Sequence, residues 1–304
     1  MARESSIHDP GGEKRLNQHG DRAARKAGRV LRAAAGILVA LPLSCTSWTS
    51  APYYPDKEVR TEPSQVGLPY QAVTFRATDN VRLTGWWVPA GKPMGTVLFC
   101  HGNAGNISNC LGTLRVFNGM GLDVLVFDYR GYGRSEGRPS EEGLYRDAEA
   151  AWRYLTEVRK VPAQRIVIVG RSLGGPVAAH LARDHRSGAL VLESTFTSMD
   201  EEVSKLSTLP VGSLVKGEFR TEAYVSEVRC PVLVVHSRED EVVPYELGRK
   251  VFEAAKGPKE FLEITGTHNG GYETSGKLYR EGWERFLGKF VSKQTELTAE
   301  SLWE

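Results

Sequence analysis

Six short apolar runs, at residues 96–100, 123–127, 165–169, 189–192, 231–235 and 259–264, are separated mostly by stretches whose apolar residues recur at helical spacing. The runs have no polar face, so strands built from them must be covered on both sides. The stretches at 107–120, 141–159, 173–185, 246–255 and 272–291 supply helices to cover them. Strand alternating with helix predicts an α/β fold, a mostly parallel central sheet with helices on both faces. Ahead of it, 70–78 and 81–89 alternate apolar and polar residues around the turn Thr78-Asp79-Asn80, which predicts an antiparallel hairpin at one edge. The interval 195–227 breaks the rhythm, with Leu206, Leu209, Val211, Leu214, Val215 and Phe219 but no strand pattern. It falls between the sixth and seventh strands, over the carboxyl ends where open α/β sheets bind ligands, and is expected to form a small cap.

A chain of 304 residues is long enough for one such core plus a non-globular end. One domain is expected over 70–293, with a leader at 1–50, an extended Pro- and Tyr-rich connector at 51–69 and a tail at 294–304. Residues 1–32 carry eight Lys/Arg against four Asp/Glu, so of the formal +2 the leader supplies +4 and the remainder −2. A body without clustered positive charge argues against nucleic acid as a partner. Arg22, Arg25, Lys26, Arg29 and Arg32 run into the apolar stretch 33–43, the order of a secretory signal. That stretch is shorter than the roughly 20 residues a spanning helix needs. Cys45 follows Leu41-Pro42-Leu43-Ser44, which is similar to a bacterial lipoprotein box and makes Cys45 a candidate for lipidation. An exported or membrane-associated protein is the expectation, against a plain membrane-tethering anchor or a cytosolic tail. Four scattered cysteines make no disulfide scaffold, and Cys100 and Cys230, bordering apolar runs, read as small buried hydrophobes. No metal-ligand motif is present, and the expected chemistry needs no cofactor.

That chemistry centres on Gly170-Arg171-Ser172-Leu173-Gly174, a GxSxG placed between a strand and a helix. The chain must reverse there so sharply that Ser172 is strained and side chains at 170 and 174 would collide with their neighbours, leaving the hydroxyl exposed at the helix start. The pentapeptide arises by chance in roughly one such chain in five, so its weight comes from context. A serine hydroxyl needs a base, and the base needs a group that fixes its tautomer. Asp240, on the turn after 231–235, and His268, in the glycine-flanked Gly266-Thr267-His268-Asn269-Gly270-Gly271, follow in the order acid then base. Glu239, Glu241 and Glu193 are rival acids; Glu193, ending the sixth strand, is the serious one, and the short carboxylate on the turn favours Asp240. The oxyanion donors are expected at the backbone N–H groups of Asn103, in His101-Gly102-Asn103-Ala104-Gly105-Asn106, and of Leu173. His101 is read as a brace for that loop, and Asp128-Tyr129-Arg130-Gly131-Tyr132-Gly133 as a structural turn rather than a nucleotide site.

Together with Ser140-Glu141-Glu142-Gly143-Leu144-Tyr145 and the longer run Asp128 to Gly137, these motifs resemble the membrane-associated serine α/β-hydrolases of the bud-emergence type, including the eukaryotic α/β-hydrolase-domain-containing proteins. The resemblance runs from about residue 70 to 291. It implies the same Ser172, Asp240 and His268, an oxyanion hole at Asn103, and hydrolysis of carboxylic esters or thioesters on a small-molecule or lipid-like acyl substrate. The cap matches no one relative. Two other functions stay open: an aminopeptidase-like amide hydrolase, which needs an anionic pocket where only Glu201, Glu202 and Glu218 are scattered, and a non-catalytic binding protein on the same fold.

Overall fold

Every one of the six apolar runs forms a strand, and the two alternating segments ahead of them form a hairpin. The strands are β1 (Gln71–Arg76), β2 (Arg82–Val88), β3 (Gly95–Cys100), β4 (Leu122–Phe127), β5 (Ile166–Arg171), β6 (Ala189–Glu193), β7 (Val232–Ser237) and β8 (Lys259–Ile264). They lie side by side as β8-β7-β6-β5-β3-β4-β2-β1, parallel from β8 through β4, with β2 antiparallel to both β4 and β1. The computed structural model describes residues 53–201 and 218–291. The leader with Cys45, residues 202–217 of the expected cap and the expected tail lie outside the described residues. Among the described residues no helix is long and apolar enough to cross a membrane.

The helices are α1 (Leu111–Gly119), α2 (Glu141–Arg153), α3 (Gly174–Asp184), α4 (Thr221–Val225), α5 (Tyr245–Ala254), α6 (Gly271–Thr274) and α7 (Gly276–Phe290). Alternate strand residues enter opposite cores, as the two-residue period of a strand requires. Leu98, Ile168, Leu192 and Val234 meet Leu144 of α2, Val177 and Leu181 of α3, and Leu247 and Val251 of α5. Val97, Val169, Val191 and Val235 meet Leu114 and Phe117 of α1 and Trp283 and Phe286 of α7. Each such fully buried side chain stabilises the fold by about 1.5–3 kcal/mol. Helix α2 shows why the local sequence cooperates: Ser140 caps it by accepting the Gly143 N–H at 3.2 Å, Glu141 and Glu142 occupy its first turn, and Arg153 its last.

Three details depart from the expected outline. The helix at 107–120 opens with a 3-10 turn, Ile107–Cys110, because the Asn106 side chain caps it by accepting from Ser108 N–H at 2.9 Å. The helix at 272–291 breaks at Gly276, whose φ of +40° lies in the left-handed region. Finally, the stretch expected as an extended connector is, from residue 53, packed against the body. Tyr54–Pro55 pairs in parallel with Ala104–Gly105, Pro63–Val66 forms a 3-10 turn, and Pro63 and Leu68 are buried.

The sheet order also places the site. From β3 the chain steps outward to β4, then crosses back to β5 on the other side of β3. Connections leaving β3 and β5 in opposite directions open a crevice at their carboxyl ends. The loop 101–106 and Ser172 both stand there.

Candidate active site

β5 ends at Arg171 and α3 begins at Gly174, which leaves two residues for the reversal. Ser172 makes it with a φ of +52°, a conformation that costs a non-glycine residue about 1–3 kcal/mol and is held by its surroundings. Its N–H donates to the Glu193 carbonyl at 3.0 Å, and its carbonyl accepts from Gly175 N–H at 2.8 Å and from the Thr195 hydroxyl at 2.9 Å. A Cβ on Gly170 would lie 2.2 Å from the Gly174 carbonyl oxygen, and one on Gly174 would lie 2.0 Å from that of Cys100. Strand, turn and helix approach too closely at both positions for any side chain, which is the spacing read from the sequence.

His268 follows β8, and its Nδ1 lies 2.9 Å from both Oδ1 and Oδ2 of Asp240. An ionised carboxylate only accepts, so Nδ1 donates, and in the neutral imidazole the lone pair is then on Nε2. The Asp240 side chain is fully buried on the turn after β7. Its Oδ1 also accepts from Val242 N–H at 3.0 Å and Val243 N–H at 2.8 Å. On its other side His236 Nε2, which bonds the Val243 carbonyl at 3.0 Å, stands 3.4 Å from Oδ2. Burial by itself would raise the pKa of Asp240; the bonds from His236 and His268 outweigh it and hold the carboxyl well below the usual carboxylate range.

The rival carboxylates have other partners. Glu239 accepts the Gly266 N–H at 2.8 Å and Glu241 the His268 N–H at 2.9 Å. Three consecutive acidic residues thus hold one loop, two by its backbone and Asp240 by its imidazole. Glu193 takes Arg171 Nε at 3.0 Å and Nη2 at 2.7 Å on one oxygen, and the Tyr279 hydroxyl on the other. A carboxylate at a strand end gives no sequence sign of which cation it will meet, so residue order predicts neither this buried cluster nor the clamp by Glu239 and Glu241.

Ser172, Leu173, His268 and Asn103 line one cleft of about 460 Å³, together with the apolar Phe196, Met199 and Val242. Asp240 stands behind His268. Asn103 Oδ1 accepts from the Tyr132 hydroxyl at 2.8 Å and from Tyr54 N–H at 3.2 Å. His101 is buried; desolvation lowers its pKa to about 4, its Nδ1 donates to the Gly102 carbonyl at 2.8 Å, and its carbonyl accepts from the Tyr129 hydroxyl at 3.0 Å. A neutral ring so fixed braces the loop. The turn beginning at Asp128 is likewise structural: its carboxylate accepts Ile107 N–H at 2.9 Å and its carbonyl the Ser135 hydroxyl at 2.7 Å. Cys100, Cys110 and Cys230 are buried free thiols, pushed up to about 12, 12 and 11 by desolvation, so none competes as a nucleophile near neutral pH.

Known proteins share this arrangement of elements. A family model described as the alpha/beta hydrolase fold matches residues 95–216. The α/β-hydrolase domain-containing protein WAV2 of Arabidopsis thaliana is 31% identical over 255 residues, which cover 76% of this chain and 83% of WAV2. The protein bem46 of Schizosaccharomyces pombe is 36% identical over 196 residues, covering 60% of this chain and 64% of bem46. Among solved structures, the Pyrococcus furiosus esterase Pf2001 is similar with a TM-score of 0.68 at 21% identity, over 80% of this chain and 99% of the esterase. At that identity the esterase speaks for the fold, and the sequence relatives carry kinship: with its mostly parallel sheet, its antiparallel edge and its strand-to-helix serine turn, the chain belongs to the α/β-hydrolase fold family.

Proposed function

We propose that this chain is a serine hydrolase that cleaves carboxylic ester or thioester bonds through Ser172, His268 and Asp240. The observation that carries the reading is the Asp240–His268 pair, 2.9 Å from Nδ1 to each carboxylate oxygen, at the same cleft as the strained Ser172. Nε2 of His268 takes the Ser172 proton as Oγ attacks the acyl carbonyl. The tetrahedral oxyanion is bound by the backbone N–H groups of Asn103 and Leu173, and the alcohol or thiol leaves with the proton from His268. The same imidazole then removes a proton from water, which attacks the acyl-enzyme, and the carboxylic acid departs as Ser172 recovers its proton. Asp240 stabilises the imidazolium in both halves.

The apolar lining of the cleft by Phe196, Met199 and Val242 suits an apolar acyl group. Among the described residues lining the cleft there is no carboxylate to hold a substrate ammonium. The basic and apolar leader supports export or membrane attachment, with Cys45 as the lipidation point. Palmitate incorporation that survives in Cys45→Ser would sink that last assignment.

Turnover of p-nitrophenyl esters of graded length, an acyl thioester and an aminoacyl anilide tests the function. Esters and thioester should be hydrolysed, with kcat falling by a factor on the order of 10⁴ or more in Ser172→Ala. Preferential cleavage of the anilide, or undiminished turnover by Ser172→Ala, would overturn it.

A further inference from the structure

Residues 53–58 precede every strand of the main sheet, yet they lie between the cleft loop 101–106 and the turn at 128–137. On one side Tyr54 and Pro55 pair with Ala104 and Gly105, and Asp56 N–H donates to the Gly105 carbonyl at 2.9 Å. Tyr54 N–H reaches Asn103 Oδ1 at 3.2 Å, and Asn106 Nδ2 donates to the carbonyls of Asp56 and Glu58 at 3.1 and 2.8 Å. On the other side Gly133 N–H donates to the Asp56 carbonyl at 2.9 Å, and Lys57 Nζ to that of Ser135 at 2.9 Å. The Tyr132 hydroxyl, 2.8 Å from Asn103 Oδ1, joins the two sides.

We infer that residues 53–58 are a positioning strap for the loop 101–106, holding the Asn103 backbone where it can bind the oxyanion. The inference rests on the acyl-transfer reading of Ser172. Its physical basis is the mismatch between what the loop contains and what its task demands. Gly102 and Gly105, the latter at a φ of +81°, give the loop little stiffness of its own. An oxyanion donor must stand about 2.7–3.1 Å from the developing charge, and a displacement of about 1 Å can cost on the order of 100-fold in rate. The strap supplies the missing rigidity through its bond to Asn103 Oδ1 and through those to Gly105 and Asn106 just beyond it. No step of the reaction passes through it, so these are positioning residues.

The test uses the full-length chain carrying Asn106→Asp. The substitution preserves shape and leaves Oδ1 to accept the Ser108 N–H, 2.9 Å away in the native protein, but it sets a carboxylate oxygen against the Asp56 and Glu58 carbonyls. Tyr132→Phe, which removes only the hydroxyl bond to Asn103, is the milder companion. Active sites are counted with a fluorophosphonate, so that kcat is expressed per competent serine whatever fraction folds. The expected result is a fall in kcat per site of about 10- to 100-fold for Asn106→Asp and about 3- to 10-fold for Tyr132→Phe, with KM for a p-nitrophenyl ester within about 3-fold. Affinity for a trifluoromethyl ketone, whose adduct carries the oxyanion, should weaken by the same factor as kcat/KM. Unchanged kcat per site in both variants, or a loss confined to the number of sites, would overturn the strap. A wild-type chain that neither labels at Ser172 nor turns over ester would instead remove the reading on which it rests.

Discussion

Asp240 faces His268 with both carboxylate oxygens 2.9 Å from Nδ1, and the same carboxylate accepts the backbone N–H groups of Val242 and Val243. Asp240→Asn separates the two roles. The amide oxygen still accepts from the turn, so the fold should survive, but an amide nitrogen at Nδ1 is a donor and forces the proton onto Nε2. A base without its lone pair cannot take the Ser172 proton. The expected loss in kcat is on the order of 10⁴ in a chain that still folds, with the urea midpoint lowered at neutral pH because the carboxylate's contribution to stability goes with its charge, as steady-state kinetics and an unfolding curve on one preparation would show.

Two buried carboxylates should oppose one another in the pH dependence of stability. Asp240 is held well below its ordinary pKa, so its contribution is present above about pH 4 and lost as the pH falls below that. Asp128 runs the other way: burial outweighs the backbone N–H groups of Ile107 and Arg134 and pushes it up to about 6. Between about pH 4 and 6 the folded chain then keeps a proton that the unfolded chain has released, so stability declines as pH rises through that window and levels off above it. Urea unfolding of Asp128→Asn should show a shallower decline, less by on the order of 2–3 kcal/mol between the two ends of the window, the remainder belonging to Asp147, which burial also pushes up to about 6. Parallel curves for the two proteins would show that Asp128 does not titrate there.

Glu193 holds the buried Arg171 guanidinium, whose side chain is only 13% exposed. Glu193→Ala leaves that cation without its carboxylate, and breaking a buried pair from one side costs about 3–5 kcal/mol. Catalysis should be spared. Urea unfolding should show the loss of stability, while kcat per fluorophosphonate-titrated site stays within about 3-fold of wild type. A collapse of kcat per site would make Glu193 a catalytic acid after all.

The strands and helices could be read because their signals are local: Val167, Ile168 and Val169 form a strand wherever they are packed, and Gly170 and Gly174 flank a serine that only a tight reversal would put there. The strap could not. Tyr54 and Pro55 are two residues with no period to detect, and their partners Ala104 and Gly105 lie about fifty positions later. Glu193 stands as a rival in the sequence for a related reason. A carboxylate closing β6 looks like an acid for His268 until Arg171, at the end of the neighbouring strand β5, is seen beside it. Asp240 could be favoured over Glu239 and Glu241 on side-chain length and turn position, but nothing in the residue order reveals that both glutamates hold the loop of His268 by its backbone.

Mass spectrometry after reaction with a fluorophosphonate goes most directly to the activated serine. One adduct per chain should appear, on the peptide that contains Ser172; it should be absent from Ser172→Ala and form slower by a factor on the order of 10³ in His268→Ala. An adduct on another residue, or labelling of His268→Ala at the wild-type rate, would contradict the assignment of Ser172 as a nucleophile activated by His268.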